Sequence, residues 1–188
     1  DGHFCVVFVL PSYIKTLRTS EDQMIFQTLL NYDVEKIHTP FADLNTLMLS
    51  DVLMIETLKN QKIDATIHII ICSDVEQNIS PRLLVQLREN SSIRIFEHYL
   101  TSNSCVINSL TDINCEKNSQ LDYYKIIDEQ EQGYHLSLSN IRLARNSYLN
   151  LFSWDCGANI SRNNININLV EKNASVNLNA LFCPTGKL

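Results

Sequence analysis

The sequence lacks the charge and the apolar runs by which nucleic-acid-binding and membrane-spanning proteins are usually identified. Its 21 acidic side chains outnumber the 15 basic ones, and a net charge of -6 provides no basic face for phosphate groups. The apolar runs over residues 4–10 and over residues 67–72, the latter interrupted by His68, are far shorter than the roughly 18 apolar residues that a membrane-spanning helix needs. We therefore expect a soluble globular protein that binds neither nucleic acid nor a membrane.

The cysteines also lack any spacing typical of a metal site. They lie far apart, without a Cys-x-x-Cys pair or a Cys/His pair at zinc spacing. Disulfide frameworks are typical of shorter secreted chains, so we interpret the cysteines mainly as buried free thiols that behave as small hydrophobes. The six are Cys5, Cys72, Cys105, Cys115, Cys156 and Cys183.

One pattern is present four times at a nearly constant interval. Each copy has an asparagine, then a small residue, then an alternation of apolar and polar residues, and the asparagines are Asn90, Asn118, Asn146 and Asn173. Their separations are 28, 28 and 27 residues. The alternation predicts strands with one buried face, and asparagine suits the turn before them because it tolerates left-handed backbone angles.

Strand and turn units of this kind cannot bury an apolar face alone, but they can do so when successive turns stack as a solenoid. Helical repeats of similar length would instead show i, i+3, i+4 apolar spacing and less Asn, Ser, Ile and Val. We therefore predict a mainly β fold. Residues 50–188 are predicted to form part of a right-handed parallel β-helix, with repeats anchored at the four asparagines.

Residues 1–49 differ from the repeats and predict a small α/β cap. An apolar run over residues 4–10 predicts a strand that ends before Pro11. Ser20 and Gln23 match a capping box that opens a first helix. Thr39 and Pro40 suit the start of a second helix. The apolar residues of this second helix are Phe41, Leu44, Leu47 and Met48.

Several segments resemble the SufB/SufD family of iron-sulfur cluster assembly scaffolds. Phe41-Ala42-Asp43-Leu44-Asn45-Thr46 resembles the family's Phe-x-x-Leu-Asn-x helix, which leads into a β-helix. Val6-Val7-Phe8-Val9 is similar to the strand with which the SufD branch starts its core. Three family signatures recur in the right order and spacing, at Ile95-Phe96-Glu97-His98-Tyr99, Leu121-Asp122-Tyr123-Tyr124-Lys125 and Ser161-Arg162-Asn163. Gly157-Ala158 stands where the family has a Gly-Gly turn.

The resemblance implies a SufD-like scaffold subunit that is not an enzyme by itself and lies in the cytoplasm. Its expected partners are SufB-like and SufC-like subunits, and pairing as a homodimer is the other expectation. The family's complete complex assembles an iron-sulfur cluster, whereas we expect no catalytic, cofactor-binding or metal-binding residue in this chain. The chain resembles only the front part of the family's core, and the family's subunit-pairing surface, cluster positions and SufC docking site lie beyond it.

Other candidate residues favour structural interpretations. Glu97 and His98 are adjacent on a strand and point to opposite faces, so we interpret them as an exposed strand pair rather than an acid/base pair. Cys156 and Cys183 are interpreted as packing residues rather than cluster ligands. Six aromatic residues are predicted to form stacked ladders on the solenoid core: Phe96, Tyr99, Tyr123, Tyr124, Phe152 and Trp154.

Two alternative functions remain open. A polysaccharide-acting β-helix enzyme would use paired carboxylates, but the acidic run fits a solvated turn near Gly133 better. Its members are Asp122, Asp128, Glu129 and Glu131. The second alternative is a structural solenoid that joins end to end through unpaired strands.

Overall fold

The chain coils into a parallel β-solenoid of about four turns, which confirms the predicted mainly β, parallel β-helical architecture. The computed structural model describes residues 14–18, 39–49, 51–73, 78–101, 105–129 and 133–183. Sheet A contains β1 (Ile14–Arg18), β2 (Asp51–Glu56), β4 (Arg82–Leu87), β6 (Val106–Cys115), β8 (Tyr134–Leu143) and β10 (Ile160–Leu169). Sheet B contains β3 (Lys62–Ser73), β5 (Ser92–Thr101), β7 (Gln120–Glu129), β9 (Tyr148–Cys156) and β11 (Ser175–Cys183).

Successive turns stack in register. β5 pairs with β7 along all ten of its residues, each lying opposite the residue 28 positions later, and β6 pairs with β8 at the same offset. The repeat seen in the sequence is therefore the length of chain in one turn. Inward residues of both sheets form one apolar cluster, in which each fully buried side chain contributes about 1.5 to 3 kcal/mol. Its members include Ile95, Ile113, Leu121, Ile141 and Leu149.

The turns from sheet A to sheet B are built on left-handed asparagines. Asn90, Asn118, Asn146 and Asn173 have φ values between 57° and 60°, and Asn60, at φ 63°, is a further member. The Asn146 Nδ2 donates to Asn118 Oδ1 at 3.0 Å, and the Asn173 Nδ2 donates to Asn146 Oδ1 at 3.1 Å. These five asparagines form a row along the solenoid, here called the asparagine ladder, in which hydrogen bonds link Asn118 to Asn146 and Asn146 to Asn173.

Helix α1 (Pro40–Leu47) begins where the sequence predicts. The Thr39 side chain accepts a hydrogen bond from the backbone N–H of Ala42 at 3.2 Å. The buried residue of α1 is the polar Asn45, with 0% of its surface exposed. The apolar residues are exposed instead: Phe41, Leu44, Leu47 and Met48.

The segment before residue 50 also contributes to the solenoid sheet. β1 pairs antiparallel with β2, so that it continues sheet A, and this strand was not predicted. The strand predicted over residues 4–10 and the helix predicted to open at Ser20 lie outside the described residues. In the part of the chain that the structure describes, no helix is long and apolar enough to cross a membrane.

Candidate functional site

The interior of the solenoid changes from apolar to polar along the strands of sheet B. The first inward residues after three asparagine turns are apolar and buried: Ile93, Leu121 and Leu149. Four positions further along, the inward residues are Glu97, Lys125 and Ser153, which lie opposite one another in successive strands. We call these three residues the polar column. All of them are buried, which is unusual for a carboxylate and an ammonium group.

The Glu97 carboxylate accepts hydrogen bonds from three hydroxyl groups. The Tyr99 hydroxyl donates to Oε1 at 2.5 Å, the Tyr123 hydroxyl donates to Oε2, and the Thr111 hydroxyl lies 3.3 Å from Oε1. Burial raises the pKa of both phenols well above the usual value of 10.0, and the neighbouring Glu97 charge adds to the shift. The phenols therefore stay protonated and remain donors to the carboxylate.

Lys125 is the cationic member of the polar column and has 1% of its surface exposed. Its Nζ donates to the hydroxyl of Ser137 and lies 3.5 Å from the hydroxyl of Ser139, and it sits 5.5 Å from the centre of the Tyr99 ring. Burial lowers the pKa of Lys125, while the charges of Glu97 and Asp155 oppose part of that shift. The ammonium is thus held by hydroxyls and a ring face.

The polar interior continues from β9 to β10. The Asn163 Nδ2 donates to the Ser153 hydroxyl at 2.9 Å, and the Ser161 hydroxyl donates to Asp155 Oδ2 at 2.5 Å. His135 is also fully buried, and its ring packs edge-on against Tyr99 with 4.7 Å between ring centres. Polar interior side chains therefore extend across several turns rather than forming one isolated pair.

This arrangement can hold charges and hydroxyls at fixed positions, and the described residues enclose its charged members almost completely. Glu97 has 2% of its surface exposed, and Lys125 and Tyr99 each have 1%. Among the described residues, no group of three or more His, Cys, Asp or Glu side chains is placed to hold a metal ion. The geometry therefore favours a structural and positioning role for the polar column over direct chemistry.

Outside the solenoid, α1 packs against the outer face of sheet A through polar contacts. The Asn45 Nδ2 donates to the backbone oxygens of Pro81 at 3.2 Å and Asn108 at 2.7 Å. The Asn108 side chain donates in return to the backbone oxygen of Phe41 at 2.9 Å. The guanidinium of Arg162, from β10, lies 5.9 Å from the centre of the Phe41 ring. Two separate segments that resemble the SufB/SufD family, around Phe41 and Arg162, are therefore in contact.

A family model described as SUF system FeS cluster assembly, SufBD core domain, matches residues 70–187. The chain belongs to the SufBD family. An iron-sulfur cluster assembly SufBD family protein of Synechocystis sp. is 23% identical to this SufBD chain over an alignment of 176 residues, and the match covers 86% of the chain. The chain spans 39% of the length of that relative. The resemblance to the SufB/SufD family is thereby confirmed.

The structure corrects the interpretation of Glu97 and His98 in this SufBD core. The two side chains do point to opposite faces, as expected, and His98 is half-buried on the outer face. Glu97, however, is buried inside the solenoid and does not belong to an exposed pair. The alternation along the strand indicated this burial. Glu97 and Tyr99 lie an even number of residues after Ile93 and Ile95, which point inward, so their side chains point to the same face. The same rule places Lys125 inside.

The described side chains of the acidic run do not form a cluster of carboxylates. Asp122 faces outward, and one oxygen lies 3.4 Å from the Arg94 guanidinium. The expectation of a turn from Asp128 onward is wrong at its start, because β7 extends through Glu129. Glu131 lies outside the described residues. Since Glu97 points inward and Asp122 outward, the paired carboxylates of a polysaccharide-acting enzyme are not favoured.

Two further predictions for the SufBD chain are met in part. Among the described cysteines, Cys105 and Cys115 are buried, Cys72 is exposed, and Cys156 and Cys183 are half-buried on the outer face of sheet B. The aromatic ladder exists, but its stacked members lie on that outer face rather than in the core. The Phe96 and Tyr124 rings stack there with 4.4 Å between centres. Tyr99 and Tyr123 are instead in the interior.

The turn after β9 contains Gly157-Ala158, and both residues have positive φ. Gly157 has φ 97° and Ala158 has φ 45°, so both residues occupy the left-handed region. Alanine is disfavoured there because its Cβ approaches the following carbonyl oxygen. Glycine would adopt the backbone conformation of Ala158 more easily than alanine does.

Proposed function

We propose that this chain is the front part of a SufD-like scaffold subunit of iron-sulfur cluster assembly, and that it is not an enzyme by itself. The observation that carries the proposal is the SufBD core-domain match, which covers the solenoid from within β3 to beyond the end of β11. The Synechocystis relative is also named for iron-sulfur cluster assembly. The subunit is proposed to act in the cytoplasm with SufB-like and SufC-like subunits, a homodimer being the competing arrangement.

The construction of the solenoid supports a scaffold more than an enzyme. Stacked turns joined by parallel ladders and by the asparagine ladder make a stiff rod, which suits a subunit that holds partners at fixed separations. Its buried ionisable groups, Glu97 and Lys125, are enclosed in the interior of the solenoid. On the outer face, Asp122 is paired with Arg94 rather than with a second carboxylate.

Affinity purification of the full-length protein tests this proposal. The tagged protein is co-expressed with the SufB-like and SufC-like subunits of its own organism and purified without oxygen at low salt, and both partners are expected in the eluate. A tagged 188-residue chain is the matched control, and it should retain less SufC-like subunit because the family's docking site is expected beyond Leu188. Absence of both partners from the full-length eluate contradicts the scaffold role.

The same experiment distinguishes the branches of the family. A SufD-like subunit should retain the SufB-like partner, whereas retention of a SufD-like partner would assign this chain to the SufB branch. A homodimeric scaffold would elute as two copies of this chain that retain the SufC-like subunit and lack the SufB-like one. Incubation of the purified protein with polygalacturonate should release no reducing ends, because paired carboxylates are lacking on the described outer face of sheet B.

A further inference from the structure

Two cysteines lie side by side on the outer face of sheet B. Cys156 is the last residue of β9, Cys183 is the last residue of β11, and the two are opposite each other in the parallel pair. Opposite residues of paired strands point to the same face, and neighbouring strands lie about 4.8 Å apart. Disulfide-bonded cysteines usually have Cα atoms about 4.4 to 6.8 Å apart. The register therefore places this pair within bridging distance.

The outward direction of both thiols follows from the alternation along each strand. Asp155, the neighbour of Cys156, is buried and points inward, so Cys156 points outward. Val176 packs against the interior cluster, and Cys183, an odd number of residues later, is on the opposite face. Both cysteines are half-buried rather than enclosed, unlike Cys115. A reagent in solution can therefore reach them.

We propose that Cys156 and Cys183 form a redox-active dithiol that closes to an intrachain disulfide by exchange with a small disulfide such as oxidised glutathione. One cysteine thiolate attacks a sulfur of oxidised glutathione, forms a mixed disulfide and releases one glutathione thiolate. The thiolate of the second cysteine then attacks the sulfur of the first cysteine within the mixed disulfide and releases the other glutathione as a thiolate. The two cysteines lose two protons and two electrons, and one glutathione disulfide becomes two glutathione thiols. This proposal does not depend on the scaffold role.

The same row of sheet B supplies a control that cannot form the bridge. Paired residues of four neighbouring strands form one row across sheet B, in the order Cys72, Leu100, Asp128, Cys156. Three strand spacings separate Cys72 from Cys156, or about 14 Å, whereas cysteines whose Cα atoms are more than about 7 Å apart cannot be bridged without backbone movement. Cys72 is exposed and should form a lasting glutathione adduct instead.

Mass spectrometry of the oxidised chain tests the pairing. A Cys5→Ser, Cys72→Ser chain is incubated with oxidised glutathione, its remaining thiols are alkylated, and it is digested with trypsin without reduction. Cleavage after Arg145, Arg162, Lys172 and Lys187 isolates the two cysteines in residues 146–162 and 173–187. The expected product joins these two peptides, with the mass of both less two hydrogens. Circular dichroism before oxidation checks that the chain is folded.

Single variants distinguish a dithiol from two independent thiols. With Cys156→Ser, the glutathione adduct on Cys183 should persist, because no second thiol displaces it, and a chain that retains Cys72 should carry a lasting adduct there. The reduced parent should bind one equivalent of phenylarsine oxide, a reagent that bridges neighbouring thiols, and either single serine variant should lose this binding. Separate adducts on both cysteines without a cross-link, or no reaction at either one, overturn the proposal.

Discussion

Replacing Glu97 with glutamine tests how much the buried network stabilises the solenoid. The carboxylate accepts hydrogen bonds from Tyr99, Tyr123 and Thr111. Glutamine keeps one carbonyl oxygen but replaces the other with an NH₂ group, so at least one phenol loses its acceptor inside the protein. A hydrogen bond to a charged group contributes about 1.5 to 3 kcal/mol, and we expect the free energy of unfolding to fall by about that amount.

A double-mutant cycle with Tyr123→Phe attributes this loss to a particular bond. If Tyr123 donates to Glu97, the combined variant should lose less stability than the sum of the two single variants, with a coupling of about 1 kcal/mol. Urea unfolding is followed by fluorescence of Trp154, the single tryptophan of the chain, which lies in β9. The slope against urea should stay constant across the variants.

A substitution on the outer face provides the control. Asp122 forms an ion pair with Arg94, whose side chain is 47% exposed, so Asp122→Asn should change the free energy of unfolding by less than about 0.5 kcal/mol. The reasoning is refuted if Glu97→Gln changes stability no more than Asp122→Asn does, or if the cycle gives additive effects. Either result would mean that the buried carboxylate is satisfied in another way.

Lys125→Met should raise the free energy of unfolding at pH 7 by on the order of 1 kcal/mol, because the folded chain lowers the pKa of this lysine and so disfavours its charged form. The cost of burying the charged lysine shrinks as pH rises towards 10.5. The difference in urea midpoint between Lys125→Met and the parent chain should therefore narrow over this range, and a constant difference would contradict the reasoning. Asn146→Ala should lower the free energy of unfolding by roughly 1 to 2 kcal/mol, because φ is 57° at this position and alanine disfavours that conformation. Asn146→Gly should lower it by less, although this variant also loses the hydrogen bond to Asn118. Equal urea midpoints for the two variants would argue against a backbone cause. Burial raises the pKa of Cys115 to about 12, so mass spectrometry at pH 8 should find Cys72 alkylated in the folded chain and Cys115 alkylated only in urea.

The solenoid could be predicted from the sequence because its turn chemistry is local and recurs. A left-handed asparagine needs no distant partner, so the interval between Asn90 and Asn118 revealed the length of one turn. Asn60 was missed because 30 residues separate it from Asn90. Within that first interval the pairing of β3 with β5 shifts register between Lys62 and Thr66, which breaks the exact repeat.

The buried polar residues were harder to predict because their burial depends on partners far along the chain. Asn45 is buried through backbone oxygens 36 and 63 residues away, and no pattern around it marks those partners. Glu97 was assigned to the surface because charged residues are mostly exposed. Glu97 lies two residues after the inward Ile95, so the alternation along the strand predicted an inward side chain. This pattern was a better guide than the general preference of glutamate for the surface.

The constant register between turns has a consequence for synthesis of the protein. Each strand from β5 to β7 pairs with a strand 28 residues later, so a new turn needs only the one before it as a template. Ribosomes add about 5 to 20 residues per second, so one turn of chain emerges roughly every 1.5 to 6 s. Closing a short loop takes far less than a second. The solenoid can therefore fold one turn at a time while the ribosome is still synthesising the chain.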